Sequence, residues 1–224
     1  MLAEEAFNEL YPENDAPTFE LKYSGKFKGY NANITHHKLN NHIVFKLSRN
    51  WKDVSDEIKK GLLQSLLVKV YKSDKRNKTT HAIDFYNNFL RAVPKYSIAD
   101  EIDPELEDSF SRVNDQYFNG LMNKPNLVWG AKSNRQLGCF DYGSNTIKIS
   151  SVLNEADSWL LDYVMYHEML HKKHLFVQKN GRSFHHTTDF KNDEKKYNNF
   201  HIVDKALKDF LKKKIKKRFL LFDF

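Results

Sequence analysis

The five residues His167-Glu168-Met169-Leu170-His171 constrain this chain more than any other feature of its sequence. Trp159, Leu160, Val164 and Met165 precede them, and Met169 and Leu170 are uncharged. The segment from about Asp157 to Lys173 therefore reads as one largely buried helix. On a helix, residues four apart stand one turn above each other on the same face. Two imidazoles so placed can converge on one metal ion, and zinc accepts nitrogen ligands at about 2.0–2.1 Å in near-tetrahedral geometry. Glu168, beside the first histidine, can point at the remaining position. There a carboxylate can take a proton from metal-bound water and later hand it to a leaving amine. A pattern this short gains meaning from its context, and a buried helix is a context that can hold a dry site.

Such a site requires a third protein ligand. His174 lies on the same stripe, but it is seven residues from His167. At about 1.5 Å of rise per residue the two are roughly 10 Å apart along the axis, too far to share an ion. His174 reads instead as a solvated histidine at a helix end. His185 and His186 follow a loop containing Asn180-Gly181 and can fold back, and Glu194 on the next helix would complete a glutamate-type site. Spacing leaves these three open. It does exclude the metzincin continuation, because positions 174 and 177 are His and Val rather than Gly and His.

The chain has 224 residues, 40% of them hydrophobic and 14% aromatic, enough for a real core and unlike a disordered composition. Its single cysteine, Cys139, excludes an internal disulfide and a four-cysteine zinc ribbon within these residues, and reads as packing. The acidic, core-less start MLAEEAFNEL is no secretory signal, and no apolar run approaches the roughly 20 residues that span a bilayer. A cytoplasmic protein with no membrane partner is the expectation. The net charge of +7 is spread along the chain, with one cluster at Lys212, Lys213, Lys214, Lys216, Lys217 and Arg218. That cluster reads as a solvated helix end or as a phosphate contact.

Four segments follow. Residues 1–17 read as a loose, partly helical lead. Residues 18–97 begin with alternating Phe19, Leu21 and Tyr23, then Ile43, Phe45 and Leu47, which predict a small antiparallel meander. One helical stripe then runs through Trp51, Val54, Ile58, Leu62, Leu66, Leu67 and Val70. The polar stretch Lys72–Thr80 breaks it, and a second helix over Ala82–Ala92 stops before Pro94. Residues 98–200 open with Asp103 as N-cap and Pro104 at the first helical position, followed by the stripe Leu106, Phe110, Val113, Tyr117 and a stop at Gly120. A strand at Leu127–Trp129 and a hairpin, Leu137–Tyr142 with Thr146–Ser150, precede the histidine helix. A helix from about Thr188 follows it. Residues 201–224 form a basic amphipathic helix.

Residues Ser109–Phe190 resemble the SprT-like zinc metallopeptidases, a family that includes the Spartan-type DNA–protein crosslink proteases. The resemblance is carried by Phe110, Asn114, Tyr117-Phe118-Asn119-Gly120, the strand around Trp129, Gly138, Ile147-Lys148-Ile149-Ser150 and Tyr166-His167-Glu168-Met169-Leu170-His171. The family's downstream element is a histidine followed four residues later by Phe or Trp. His186-Thr187-Thr188-Asp189-Phe190 matches it, with Asp where the family often has Glu and Thr where Gly is common. The resemblance implies zinc held by His167, His171 and His186, with His185 the nearest rival, and Glu168 as the catalytic group. It also implies that the Leu137–Tyr142 strand pairs with an extended peptide. The implied fold is α+β and zincin-like: a metal-binding helix on a small mixed or antiparallel sheet, preceded by the small antiparallel meander and its helices. The N-terminal strands and the Trp51 helix resemble the YgjP-type metal-dependent hydrolases, which place a small sheet ahead of the same metal helix.

The leading expectation is therefore a zinc metallopeptidase with protein or peptide substrates, whose basic surface could recruit DNA-associated or crosslinked proteins. The alternative keeps the zinc but closes the site with a fourth side chain, His174, His185 or Asp189, in a non-proteolytic nucleic-acid-binding module. A metal-dependent nuclease is a third reading. Imidazoles also suit Fe, Ni or Cu, and the sequence leaves the oligomeric state open.

Overall fold

A computed structural model describes residues 1–71, 79–179 and 182–220. The fold is α+β with small mixed sheets. It divides into two compact units, one of Met1–Tyr96 with Val177–Phe184, the other of Ser97–Phe176 with the chain from His185 onward.

The first unit opens with helix α1, Leu2–Leu10. Ala3, Ala6, Phe7 and Leu10 fall at the i, i+3, i+4, i+7 spacing of a helix face, and all four are buried. The lead is therefore an integral wall of the core and not a loose segment. Strands β1 (Thr18–Ser24), β2 (Ala32–His37) and β3 (His42–Ser48) follow. Their order is β1-β3-β2, with β1 parallel to β3 and β2 antiparallel to it. The expected antiparallel meander is thus corrected. Ile43, Val44, Phe45 and Leu47 make β3 the most buried strand, and a strand with that much apolar surface gains most from the centre of the sheet. The half-buried strands β1 and β2 take the edges.

The expected single helix from Trp51 to Val70 is two elements. Trp51 lies in a short 3-10 turn, Arg49–Asp53, and helix α2 is Asp56–Val70. Ser55 in extended conformation, followed by Asp56 and Glu57, is the signature that starts the helix there. Trp51 is fully buried among Tyr30, Tyr86 and Phe89. Helix α3, His81–Tyr96, runs through Pro94 rather than stopping before it. So near the C-terminal end a proline removes only one helical hydrogen bond, and Val93 and Pro94 are buried. The predicted break at Lys72–Thr80 lies, over residues 72–78, outside the described residues.

In the second unit helix α4, Pro104–Phe118, begins as its sequence predicts: the Asp103 carboxylate accepts from the Glu105 and Leu106 amides. It ends through Asn119 and Gly120, both at positive φ. Strands β4 (Asn126–Gly130), β5 (Gly138–Asp141) and β6 (Thr146–Ser150) form a sheet of order β4-β6-β5, with β4 parallel and β5 antiparallel to β6. β5 is therefore an edge strand. Helix α5, Ser158–His174, packs on β5 and β6. Leu160, Leu161, Tyr163, Val164, Met165, Tyr166, Met169 and Leu170 bury it on nearly every side, which makes it the central helix of the unit. Arg112 of α4 clamps it by forked bonds of 2.9 and 2.8 Å to Asp162.

Strands β7 (Val177–Lys179) and β8 (Arg182–Phe184) pair antiparallel, and Asn180-Gly181 between them lies outside the described residues. Helix α6, Thr188–Glu194, is capped by the Thr187 hydroxyl, and helix α7 is Phe200–Leu220. Among the described residues no helix is long and apolar enough to cross a membrane.

Candidate metal centre

α5 presents His167 and His171 on one face, with ring centroids 5.0 Å apart. His186, just ahead of α6, folds back onto them, its ring centroid 5.2 Å from that of His167 and 4.8 Å from that of His171. One nitrogen from each of the three rings lies within 4.8 Å of the others. Phe190, fully buried four residues after His186, seats the group by touching all three rings. The aromatic at that spacing is thus a floor for the imidazoles.

The other candidate ligands are engaged elsewhere. His185 lies against Tyr142 and Phe176, with its Nδ1 3.4 Å from the Tyr142 hydroxyl. His174 is not the solvated histidine that its place at the helix end suggests: its Nε2 is 2.9 Å from Asp193 Oδ2 and the ring is mostly buried. The return of α6 brings that carboxylate over the end of α5. Glu194 meets the outer nitrogen of His167, Nδ1···Oε1 2.7 Å. A carboxylate only accepts, so Nδ1 carries the proton and the His167 Nε2 lone pair faces inward. Spacing alone leaves Glu194 open as a ligand, since sequence cannot show which ring nitrogen a carboxylate meets.

The electrostatics suit a cation. Burial, then the neighbouring His167, His186, His185 and His174, pull the His171 pKa down to about 3, and burial lowers that of His186. Both rings are neutral near pH 7. Burial also works to lower His167, but Glu194 and Glu168 outweigh it and the net shift is upward. The Nε2 atoms of His167 and His186 are 3.3 Å apart. His171 Nδ1 is buried without a hydrogen-bond partner, an orphan that costs about 1–3 kcal/mol if left so. Three imidazoles of borderline softness, two of them held neutral and all crowded together with an orphaned nitrogen, fit a divalent transition ion such as zinc.

Glu168 is 3% exposed. It accepts from the Phe140 backbone N–H, while its Oε2 has no partner. Burial raises its pKa to about 7 against the opposing pull of His167 and the Phe140 N–H. β5 supplies that N–H and also passes directly over the carboxylate at Gly138. Cys139 on the same strand is half-buried, its thiol held protonated by burial and by the Glu168 charge. A cleft of about 330 Å³ opens on His167 and Glu168, with Leu137, Val164 and Leu207 as apolar wall and Arg135, Glu194 and Asp204 as polar lining.

α6 is held in place by Asp193. Its carboxylate receives Lys173 at 2.7 Å, Lys196 at 2.6 Å and His174, and its carbonyl receives the Tyr166 hydroxyl at 2.6 Å. Burial alone would raise the Asp193 pKa, but the bonds from Lys173, Lys196 and His174 hold it far below the ordinary carboxylate range. Asp193 and the Phe140 amide are not among the groups that the sequence marks. The only signal for the first was an acidic pair at the end of a short helix, and for the second there was none.

The sequence profile of the SprT-like family matches residues 106–209, just under half of the chain. No curated protein matches. Among solved structures, the metallopeptidase zymogen jannalysin of Methanocaldococcus jannaschii is similar at a TM-score of 0.36 and 17% sequence identity, over 55% of this chain and 96% of that one.

Proposed function

With residues 106–209 a SprT-like domain, we propose that this chain is a zinc-dependent metallopeptidase in which His167, His171 and His186 hold the ion and Glu168 is the general base. The observation that carries the reading is the convergence of three ring nitrogens within 4.8 Å beside a buried carboxylate. A divalent ion bound there would supply Lewis acidity to a substrate carbonyl and make water acidic near neutral pH.

The protein's own groups do the rest. Glu194 holds the His167 proton on Nδ1. The Phe140 amide fixes Glu168 so that Oε2 is available to take a proton from the attacking water and return it to the leaving amine. An extended substrate segment would add to the sheet along edge strand β5 by backbone hydrogen bonds. The cleft beside it would receive a side chain next to the scissile bond.

A site closed by a fourth side chain is disfavoured, because His174 and His185 have other partners and the converging set among the described residues, which leaves out Asp189, is three. The net charge of +7 and exposed Lys205, Lys208, Lys212 and Lys213 on α7 support recruitment of substrates held on DNA.

Zinc-loaded protein should cleave an unstructured substrate such as casein, stop on chelation and recover with added zinc. Glu168→Gln should keep its zinc and lose about 10²–10⁴-fold in rate. Cleavage unchanged in Glu168→Gln would remove Glu168 from the mechanism, and a zinc-bound wild type that cuts no peptide would favour the non-proteolytic alternative. Duplex DNA added at low salt should raise cleavage of a DNA-bound substrate, and no effect would remove the recruitment step.

A further inference from the structure

We infer that Gly138 is a positioning residue for Glu168, and that the missing side chain at this point of β5 is what lets the base occupy its place. A Cβ built on Gly138 would lie 2.4 Å from Glu168 Oε1, 2.7 Å from its Cγ and 2.8 Å from its Cδ. All three nearest atoms belong to one side chain, and every distance is well inside van der Waals contact. Neither partner can retreat cheaply. Glu168 is enclosed at 3% exposure on a helix buried on nearly every side. β5 is held from behind, where Gly138 pairs with fully buried Ile149 of β6. Two residues on, the Phe140 amide donates to the same carboxylate. The strand therefore reads the position of the base at two points, one a hydrogen bond and one a contact that tolerates only hydrogen. A methyl group at 138 would turn the carboxylate off the Phe140 amide and away from the three imidazoles.

The same sheet supplies an internal control. A Cβ at Gly130 of β4 would also be crowded, 2.9 Å from Lys148 Cγ and 3.1 Å from its Cδ. Lys148 is exposed, and a flexible side chain in solvent can swing aside. Two crowded strand glycines thus differ both in how closely they are approached and in what they touch.

The activity arm of the test rests on the metallopeptidase reading, and the stability arm does not. Thermal unfolding of the metal-free protein is compared for wild type, Gly138→Ala, Glu168→Ala and the double variant. Gly138→Ala should lower the Tm by several degrees in the wild-type background and by much less in the Glu168→Ala background, where the three crowding atoms are gone. If Gly138→Ala alone fails to fold while the double variant folds, the same conclusion follows. Equal losses in both backgrounds, or two unfolded proteins, would overturn the inference. In the zinc-loaded protein, Gly138→Ala should retain zinc and KM while kcat falls about 100-fold, the scale of a misplacement near 1 Å, and Gly130→Ala should leave kcat unchanged. Wild-type kcat in Gly138→Ala, or an equal fall in Gly130→Ala, would also overturn it. If wild type shows no peptidase activity, the stability comparison still decides the contact with Glu168.

Discussion

In the N-terminal unit the largest enclosed side chains are Phe7, Phe45 and Trp51, and the rings of Phe19, Tyr30 and Phe89 close around them. In the second unit the central helix is buried just as deeply, yet it carries Glu168, whose Oε2 has no partner, and His171, whose Nδ1 has none. The first unit also leaves Trp51 Nε1 and His36 Nε2 without partners, but among its described residues it buries no carboxylate. The second uses burial to hold ionisable groups in an environment that raises one pKa to about 7 and lowers another to about 3. A group that costs free energy to bury persists where it has work to do.

The two units should differ most in how their stability responds to replacement of a buried side chain. Phe45→Ala should destabilise by about 3–5 kcal/mol, because a fully buried ring leaves a cavity. Glu168→Met, at an equally enclosed position, should cost the metal-free protein nothing or stabilise it by about 1 kcal/mol. Chemical denaturation of both variants checks this, and comparable losses would erase the distinction.

A smaller effect is expected at the His167 ring of the second unit. Glu194→Ala should weaken zinc binding by about 10–100-fold in a chelator competition, since it frees the His167 ring to turn and to change tautomer. The visible spectrum of the cobalt-substituted protein should not change. A changed cobalt spectrum would mean that Glu194 itself binds the ion.

The smallest effect concerns pH. Asp193 has a lowered pKa in the folded protein, so its contribution is fully present above the ordinary carboxylate value near 3.9 and is lost as pH falls through the lowered one. Asp193→Asn should be less stable than wild type by about 1.5 kcal/mol at pH 6, and the gap should narrow below about pH 4. A gap independent of pH would show that the carboxylate charge is not what holds α6.

Much of this molecule is legible from local chemistry. Asp103-Pro104 starts α4 because a carboxylate satisfies two helix amides and a proline needs none. His167 and His171 share a face because four residues make about one turn. The hairpin of β5 and β6 turns at Asn145, which sits at positive φ. What is not legible depends on contacts distant in sequence. Alternation in β1 and β3 shows which residues face inward but not which strands are neighbours, so their parallel pairing was hidden. Pro94 reads as a stop until the burial of its own ring is known. The separate roles of His174, His185 and Glu194 follow from where Asp193, Tyr142 and the outer nitrogen of His167 lie, and no spacing rule holds that information.

On the proposed reading His186, not its neighbour His185, joins His167 and His171 around one ion. Zinc content of the purified protein, measured for wild type, His186→Ala and His185→Ala, tests it directly. Wild type and His185→Ala should each hold about one zinc per chain, and His186→Ala should lose most of it. Full zinc in His186→Ala, or loss confined to His185→Ala, would contradict it.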